Sequence, residues 1–336
     1  AALAAALAAA LAALACASCG ALSARPELGD QPGAAQLGGR GVVAAGRLFD
    51  VLYIRHDHAC HNALNYQGVK TWNQFLKLKA AMRAGNFPDA PLTDCGRHKS
   101  KHSGEELRDM LNRTLQWEPE FVFTSEMLRA IETGLDMFPG AKIVPVPWIG
   151  EKETKWFSET SGEPPQPIDE QQVTLLELRG DGGNARVDWT IARAHKKSRA
   201  QSNYRKWLEF LHNDLSQRYA ADPPLKLVVV SHSHFIRDLL KEEFTGKVDK
   251  LRNNDAVRVQ YELSSDGFHA MKDTPGTPKS LLGSRLDAWS EDYLCGRDYQ
   301  RCVKYDVDAM GLSSKDAEGT QSALINPPGD RECCVP

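Results

Sequence analysis

The sequence has no long run of basic residues, and its charges nearly balance. Lysine and arginine number 41 against 44 aspartate and glutamate residues, which gives a formal net charge of -3. Proteins that bind nucleic acid through its phosphates carry clustered positive charge, so no nucleic-acid partner is predicted. The eight cysteines also lack a repeated C-x-x-C pair with the spacing of a zinc ribbon, so we expect no structural zinc.

What is present is the composition of a globular protein: 42% of the 336 residues are hydrophobic and 25% are charged. Strand-like and helical segments alternate from about residue 47 to residue 267. This alternation predicts an α/β fold, a three-layer α/β/α sandwich around a mostly parallel sheet. We divide the chain into an Ala-rich leader and linker (1–46), this domain with a lid-like excursion near 155–200 (47–267), and an irregular C-terminal extension (268–336).

Residues 1–19 are almost entirely alanine and leucine, and two interpretations of them stay open. They have the apolar core and small-residue end of a signal peptide without a basic segment before it, and they also match an inert low-complexity leader. An inert leader predicts a cytoplasmic protein, whereas a targeting segment predicts a secretory or organellar one. Membrane contact is expected only if the leader is retained as an anchor.

The stretch from Val51 to Asn62 organises the chain. Its first four residues have the apolar character of a buried parallel strand and lead directly to Arg55 and His56. Ligands of α/β sheets gather past the carboxyl ends of such strands, so His56 is predicted to face a crevice. Arg55 is a fixed cation whose planar head suits phosphate or carboxylate. The stretch therefore predicts an anion site with an imidazole at its centre.

Three later segments add groups that suit the same chemistry. The strongly hydrophobic strand at 225–230 leads to His232, and Arg129 lies in the first turn of a helix, where the helix N-terminus itself favours anions. Glu151 and Glu153 follow a strand that ends at Val146. A phosphoryl group in reaction needs several positive donors, a nucleophile in line and an acid for its leaving oxygen, and these residues supply that set.

Local patterns lead to further expectations about helices and loops. Ser103 and Glu106 have the spacing of a capping box, which predicts the start of a helix there, and Ser125 is expected to cap the next helix. Residues 164–199 have few periodic features and several glycines and prolines. We therefore expect an irregular segment that covers the crevice as a lid.

The site residues occur in four short motifs. They are Arg55-His56 with Asn62, Leu92-Thr93-x-x-Gly96, Ser125 with Arg129, Ala130 and Thr133, and Ser231-His232 with Arg237. Four such motifs, in this order and on these elements, resemble the histidine phosphatase superfamily in its phosphoglycerate-mutase-like branch. The resemblance covers about residues 49–263, and it implies the fold that the alternation of elements predicts.

The resemblance also implies an activity: hydrolysis of a phosphomonoester, carried by a small molecule or by a phosphoprotein, without a metal or an organic cofactor. It implies that His56 is the nucleophile that becomes phosphohistidine and that Glu151 is the proton donor. The residues that it assigns to the phosphate oxygens are Arg55, Asn62, Arg129 and His232.

Three positions depart from the family's pattern. Asp57 stands where a small residue is usual, and Lys99 stands where glutamine is common. The second histidine is often followed by glycine, whereas this chain continues with Ser233 and His234. A negative charge at Asp57 weakens phosphate binding unless the carboxylate points away from the phosphate.

Three alternatives stay open beside the phosphatase. A phosphomutase of the same family uses the same groups, and a catalytically weak pseudoenzyme binds phosphorylated partners without turnover. The spacing of His56, His58 and His61 resembles the H-x-H-x-D-H element of metallo-β-lactamase-fold hydrolases, in which imidazoles hold zinc. In this chain Cys60 takes the place of the aspartate of that element.

Overall fold

The computed structural model describes residues 47–60, 62, 89–151, 165–195, 202–215, 225–244, 251–264, 267–270, 279–283 and 286. The predicted leader and most of the predicted C-terminal extension lie outside these residues, and the division of the chain into three parts stays a prediction. Within the described ranges, no helix has both the length and the apolar character needed to cross a membrane.

A six-stranded sheet lies at the centre of the described residues. Its strands are β1 (Arg47–Arg55), β2 (Phe121–Ser125), β3 (Ile143–Val146), β4 (Leu225–Ser231), β5 (Ala256–Ser264) and β6 (Gly267–Ala270). They are arranged in the order β3-β2-β4-β1-β5-β6. The first four in this order are parallel to one another, whereas β5 and β6 are antiparallel to their neighbours. The predicted α/β class with a mostly parallel sheet is therefore confirmed.

Helices connect the strands along the chain. The described helices are α1 (Asp94–Leu115), α2 (Leu128–Met137), α3 (Ile168–Asn184), α4 (Thr190–Ala194), α5 (Tyr204–Phe210), which continues into a π-helical turn (Leu211–Leu215), and α6 (Ser233–Glu243). Side chains alternate between the two faces of a strand, so the two faces of the sheet can pack against separate layers of helices.

One face of the sheet packs against α1 to α4. Leu52, Ile54 and Val228 belong to a buried cluster with Leu107 of α1 and Ile131 of α2, and the same cluster includes residues of α3 and α4. Arg179 of α3 is joined to α2 by ion pairs, at 3.2 Å to Glu132 and at 2.5 Å to Asp136. Burial of this apolar face provides the main favourable free energy for attaching these helices.

The opposite face of the sheet packs against α5 and α6 through aromatic side chains. The ring of Phe123 in β2 lies 5.5 Å from Trp207 and 5.7 Å from Phe210 of α5, centroid to centroid. The indole nitrogen of Trp207 donates a hydrogen bond of 3.0 Å to the hydroxyl of Tyr53 in β1. Phe235 of α6 contacts Tyr204 of α5. The two faces together show the three predicted layers.

Two of the helix-start expectations are wrong. Helix α1 begins at Asp94, and its N-cap is Thr93, whose hydroxyl accepts from the backbone N–H of Gly96 at 2.9 Å. Ser103 lies inside the helix and is buried, because the capping group precedes it by ten residues. Helix α2 begins at Leu128 with Met127 as its N-cap, and the carboxylate of Asp89, not Ser125, accepts from the N–H of Leu128 at 2.7 Å. The hydroxyl of Ser125 lies 2.9 Å from Nε2 of His232.

The segment expected to be irregular contains two helices, α3 and α4. Helix α3 kinks at Gly180, which has the left-handed φ of 69°, and this glycine is among the residues that made the segment look non-periodic. Tertiary packing stabilises these helices: Leu175 and Ala192 are fully buried. Whether the segment acts as a lid stays a prediction.

Candidate active site

The carboxyl ends of β1 and β4 bring the two predicted histidines together. The strands are parallel neighbours, and Arg55 lies opposite Ser231 in the register. Because His56 and His232 each follow directly after these residues, their rings meet, with centroids 4.9 Å apart in an edge-on arrangement. Both histidines are buried, with 2% and 0% of their surface exposed. The pairing of strand ends that the sequence predicted is thus present.

The environment of His56 selects one tautomer of its ring. Nδ1 lies 2.7 Å from the backbone carbonyl oxygen of Asp57. A carbonyl oxygen can only accept, so Nδ1 carries a hydrogen, and in the neutral ring Nε2 is the nitrogen without one. The backbone of His56 is held on both sides, since its N–H donates to the carbonyl of Ser231 and its carbonyl accepts from the amide of Asn253. The backbone of His56 and the hydrogen on its Nδ1 are therefore both held in place.

Helix α2 places Arg129 in its first turn, as predicted, and Arg129 is fully buried. Its guanidinium donates to the carboxylate of Glu151 at 2.7 Å. Glu151 is one-third exposed, and the same carboxylate lies 3.7 Å from Nδ1 of His232 and 3.9 Å from Nδ1 of His234. One carboxylate, one guanidinium and two imidazoles therefore converge beside His56.

His232 is neutral in this environment. Complete burial, together with the positive charge of Arg129, lowers its pKa to about 3, although the carboxylate of Glu151 acts in the opposite direction. A neutral imidazole can donate one hydrogen bond and accept another, and its Nε2 is paired with the hydroxyl of Ser125. This leaves Nδ1 directed toward Glu151.

The loop before β5 holds Arg55 next to the two histidines. The guanidinium donates to the carbonyl of Leu251 at 2.8 Å. The backbone N–H of Arg55 donates to the carbonyl of Asp255, and its carbonyl accepts from the N–H of Asn254. Asn254 has a left-handed φ of 68°, which an asparagine adopts more readily than most residues. The loop thereby fixes the direction of the strand end that carries Arg55 and His56.

Other predicted residues lie in different positions. The side-chain oxygen of Asn62 accepts from the N–H of Ala59 at 3.1 Å, so its part in phosphate binding stays a prediction. Glu153 and His61 lie outside the described residues. Nδ1 of His58 lies 3.1 Å from the hydroxyl of Thr93 at the start of α1. Among the residues that the structure describes, no three histidine, cysteine, aspartate or glutamate side chains are grouped to hold a metal.

Three contributors to the site were missed or misassigned from the sequence. His234 was noted as a departure from a glycine pattern, whereas the structure places its ring beside Glu151. Ser125 was assigned to a helix cap but is a partner of His232. The sequence pattern around Asn253 indicates only a turn. Its contact with His56 joins residues 197 positions apart in the chain. Short-range patterns contain no information about a contact at that separation.

The fold and the site define an α/β protein with a buried cluster of imidazole and guanidinium groups at the carboxyl ends of its strands. Known protein-family models and curated protein sequences give no match to this chain. Solved structures similar to it include phosphoglycerate mutase from Bacillus anthracis str. Sterne, with 17% identity, a TM-score of 0.39, and coverage of 67% of this chain and 92% of that chain.

Two further solved structures show a similar level of likeness. Mycobacterial glucosyl-3-phosphoglycerate phosphatase has 14% identity and a TM-score of 0.38, over 67% of this chain and 96% of its own. Phosphoserine phosphatase from Entamoeba histolytica has 15% identity and a TM-score of 0.34, over 67% of this chain and 95% of its own.

Proposed function

We propose that this chain is a phosphomonoesterase that works through a phosphohistidine on His56. The observation that carries the proposal is the hydrogen bond from Nδ1 of His56 to the carbonyl of Asp57, on a ring whose centroid lies 4.9 Å from that of His232. A neutral imidazole with one nitrogen held as a donor is the form that attacks phosphorus. The substrate is a phosphorylated small molecule or a phosphoprotein.

The cations around His56 supply charge stabilisation for the phosphoryl group. Arg129 is buried and Arg55 is half-buried, so both act where water screens charges less than at the surface. His232, which is neutral, can donate a hydrogen bond to a phosphoryl oxygen without adding a charge. These groups offset the negative charge that develops in the transition state.

Glu151 is the proton donor in this proposal. Its carboxylate pairs with Arg129, the same guanidinium that a phosphate requires. A bound phosphoryl group therefore displaces the carboxylate, and its negative charge favours the protonated form of Glu151. The protonated acid gives its hydrogen to the leaving alcohol, and the resulting carboxylate then takes a proton from the water that hydrolyses the phosphohistidine.

A labelling experiment tests the nucleophile. The wild-type protein, quenched during turnover of a labelled phosphomonoester, is expected to carry an acid-labile, base-stable phosphate. His56→Ala is expected to abolish both this label and the release of phosphate. His58→Ala and His61→Ala are the matched controls, and both are expected to retain most of the activity.

The same variants distinguish the zinc hydrolase from the phosphatase. A zinc site built on the three histidines predicts that all three substitutions abolish activity and that a chelator stops the wild-type protein. Turnover that a chelator stops, without a phosphorylated intermediate, refutes the phosphohistidine proposal. Phosphate binding without turnover of any phosphomonoester in a broad panel identifies the chain as a binding module instead.

A further inference from the structure

Asp57 places a carboxylate next to the nucleophile of an anion site. Its side chain is fully buried, so water does not screen its charge. One oxygen accepts from the backbone N–H of His58 at 2.6 Å, and the other accepts from the hydroxyl of Ser100 at 3.0 Å. Ser100 belongs to helix α1, so the carboxylate points toward that helix.

Lys99 of α1 supplies the opposite charge. Its ammonium nitrogen lies 3.6 Å from the carboxylate of Asp57, and the side chain is 4% exposed. The backbone carbonyl of Lys99 accepts from the amide of Asn254, which belongs to the loop that holds Arg55. Two buried charges of opposite sign therefore face each other, one on helix α1 and one on the loop that follows His56.

The backbone of Asp57 connects this pair to both halves of the phosphate site. Its carbonyl oxygen accepts from Nδ1 of His56, and its N–H donates to the hydroxyl of Thr133 at 3.0 Å. The Thr133 hydroxyl in turn donates to the backbone carbonyl of Arg129 at 2.7 Å. Any movement of Asp57 thus changes both the ring orientation of the nucleophile and the position of the helix turn that carries Arg129.

We propose that Lys99 is a positioning residue of the phosphate site, which holds Asp57 toward α1 and neutralises its charge so that phosphate binds beside a carboxylate. The inference rests on the proposed function, because it assumes that His56 and Arg129 receive a phosphoryl group. The inference predicts different effects on phosphate binding for the two residues. Without Lys99, the carboxylate repels phosphate, whereas without the Asp57 charge the site has no need of Lys99.

The experiment uses inorganic phosphate as the probe and measures its dissociation constant by calorimetry, alongside kcat and KM for p-nitrophenyl phosphate. Lys99→Gln is expected to weaken phosphate binding by about five- to thirtyfold, from Coulomb repulsion at an intermediate effective dielectric constant. Asp57→Asn is expected to bind phosphate as tightly as the wild type or more tightly. The double variant is expected to return to within about twofold of the wild type.

A matched pair on the same helix provides the control. Asp109 and Arg113 of α1 form an exposed ion pair at 3.5 Å, with side chains 72% and 76% exposed. Asp109→Asn and Arg113→Gln make the same charge changes in solvent, where screening removes most of their effect, so phosphate binding should stay unchanged.

Two results overturn the inference: no loss of phosphate affinity in Lys99→Gln, or a loss that Asp57→Asn does not suppress. A purely structural role predicts that both single variants bind more weakly and that the double variant is worst. If Lys99→Gln does not fold, the double variant alone tests the inference. The inference is refuted if the double variant binds phosphate more than about fivefold more weakly than the wild type. Failure of the proposed function gives a different result, phosphate binding without turnover in the wild type.

Discussion

The carboxylate of Glu151 lies close to three side chains. It lies 2.7 Å from Arg129, 3.7 Å from His232 and 3.9 Å from His234. A phosphoryl group that takes Arg129 leaves the two imidazoles as the neighbours of this carboxyl group. His234 is 24% exposed, and its position is fixed by the first turn of α6. The guanidinium and the two imidazoles thus share one carboxylate.

The first prediction concerns the acid. Glu151→Gln is expected to slow hydrolysis of esters with poor leaving groups by about 10²–10⁴-fold, because the amide has no acidic proton to give. Esters with activated leaving groups need little protonation and should be slowed much less. Steady-state rates over a series of leaving groups check this, with Glu153→Gln as the control variant. If Glu153→Gln shows this dependence and Glu151→Gln does not, Glu153 is the acid.

The second prediction concerns the stability of the protein in acid. The folded-state pKa of His232 is lowered to about 3, below the value near 6.5 of an exposed histidine. The unfolded chain therefore binds the proton more readily between these values. The contribution of His232 to stability is complete above about pH 6.5 and is lost as the pH falls toward 3, by at most about 1.4 kcal/mol per pH unit.

Urea unfolding between pH 4 and pH 8 measures this effect, with His232→Asn as the reference that does not titrate. The unfolding free energy of the wild type should fall below pH 6.5 more steeply than that of the variant. Parallel curves would show that His232 is protonated in the folded protein as readily as in the unfolded chain.

At the scale of elements, the start of α1 lies against the loop that follows His56. The hydroxyl of Thr93 caps the helix, and the backbone N–H of Thr93 donates to the carbonyl of His58 at 3.1 Å. Gly96 lies directly beneath that carbonyl, so a Cβ added there would overlap the oxygen. The motif residues Thr93 and Gly96 therefore share one physical role, which is the close approach of α1 to the loop that carries His56.

The third prediction tests this approach with Gly96→Ala. Alanine is ordinarily the better helix residue by about 1 kcal/mol, but here the overlap with His58 forces the loop away at a cost of roughly 1–3 kcal/mol. Because this loop follows directly after His56, the proposed nucleophile, kcat should fall on the order of tenfold or more. Gly140→Ala is the control, since nothing lies within 4 Å of its added Cβ. Thermal unfolding and kcat, measured on both variants, check the prediction.

Equal stability and kcat in the two glycine variants would show that the loop accommodates a methyl group without moving His56. A loss of stability in Gly96→Ala with an unchanged kcat would separate the packing of α1 from the position of the nucleophile.

At the scale of the whole molecule, the described part of the C-terminal extension belongs to the core. Leu282 and Leu286 are 2% and 4% exposed and pack in the cluster beneath the sheet. The carboxylate of Asp255, which precedes β5, accepts from the hydroxyl of Ser280 at 2.7 Å and from the N–H of Ala256 at 2.8 Å. Residues beyond the family resemblance thus support the loop that holds Arg55.

The fourth prediction compares a chain that ends at residue 278 with one that ends at residue 290. The shorter chain loses two buried leucines, each of which contributes about 1.5–3 kcal/mol, so its unfolding free energy should be lower by roughly 3–6 kcal/mol. Urea unfolding of both chains measures the difference. Equal stabilities would mean that residues 279–290 do not contribute to the core in solution.

Much of the fold was predictable because its signals are local. A buried parallel strand reads as a short apolar run, as at Val51–Ile54 and at 225–230, and polar residues that follow such runs collect at one edge of the sheet. This sufficed to predict that His56, His232 and Arg129 would meet. It failed for the helix at 168–184, whose stability comes from burial against α2 rather than from its own pattern.

The amino-acid sequence by itself determined the α/β class, the identity of the cations and imidazoles, and their place at strand ends. The tertiary structure alone decided how they are oriented. The tautomer of His56 depends on a carbonyl group, the neutrality of His232 depends on burial, and the charge of Asp57 is balanced by a lysine 42 positions away in the chain. Hydrogen bonds, desolvation and ion pairs act between atoms that are close in space, and that closeness exists only once the sheet and its helices have packed.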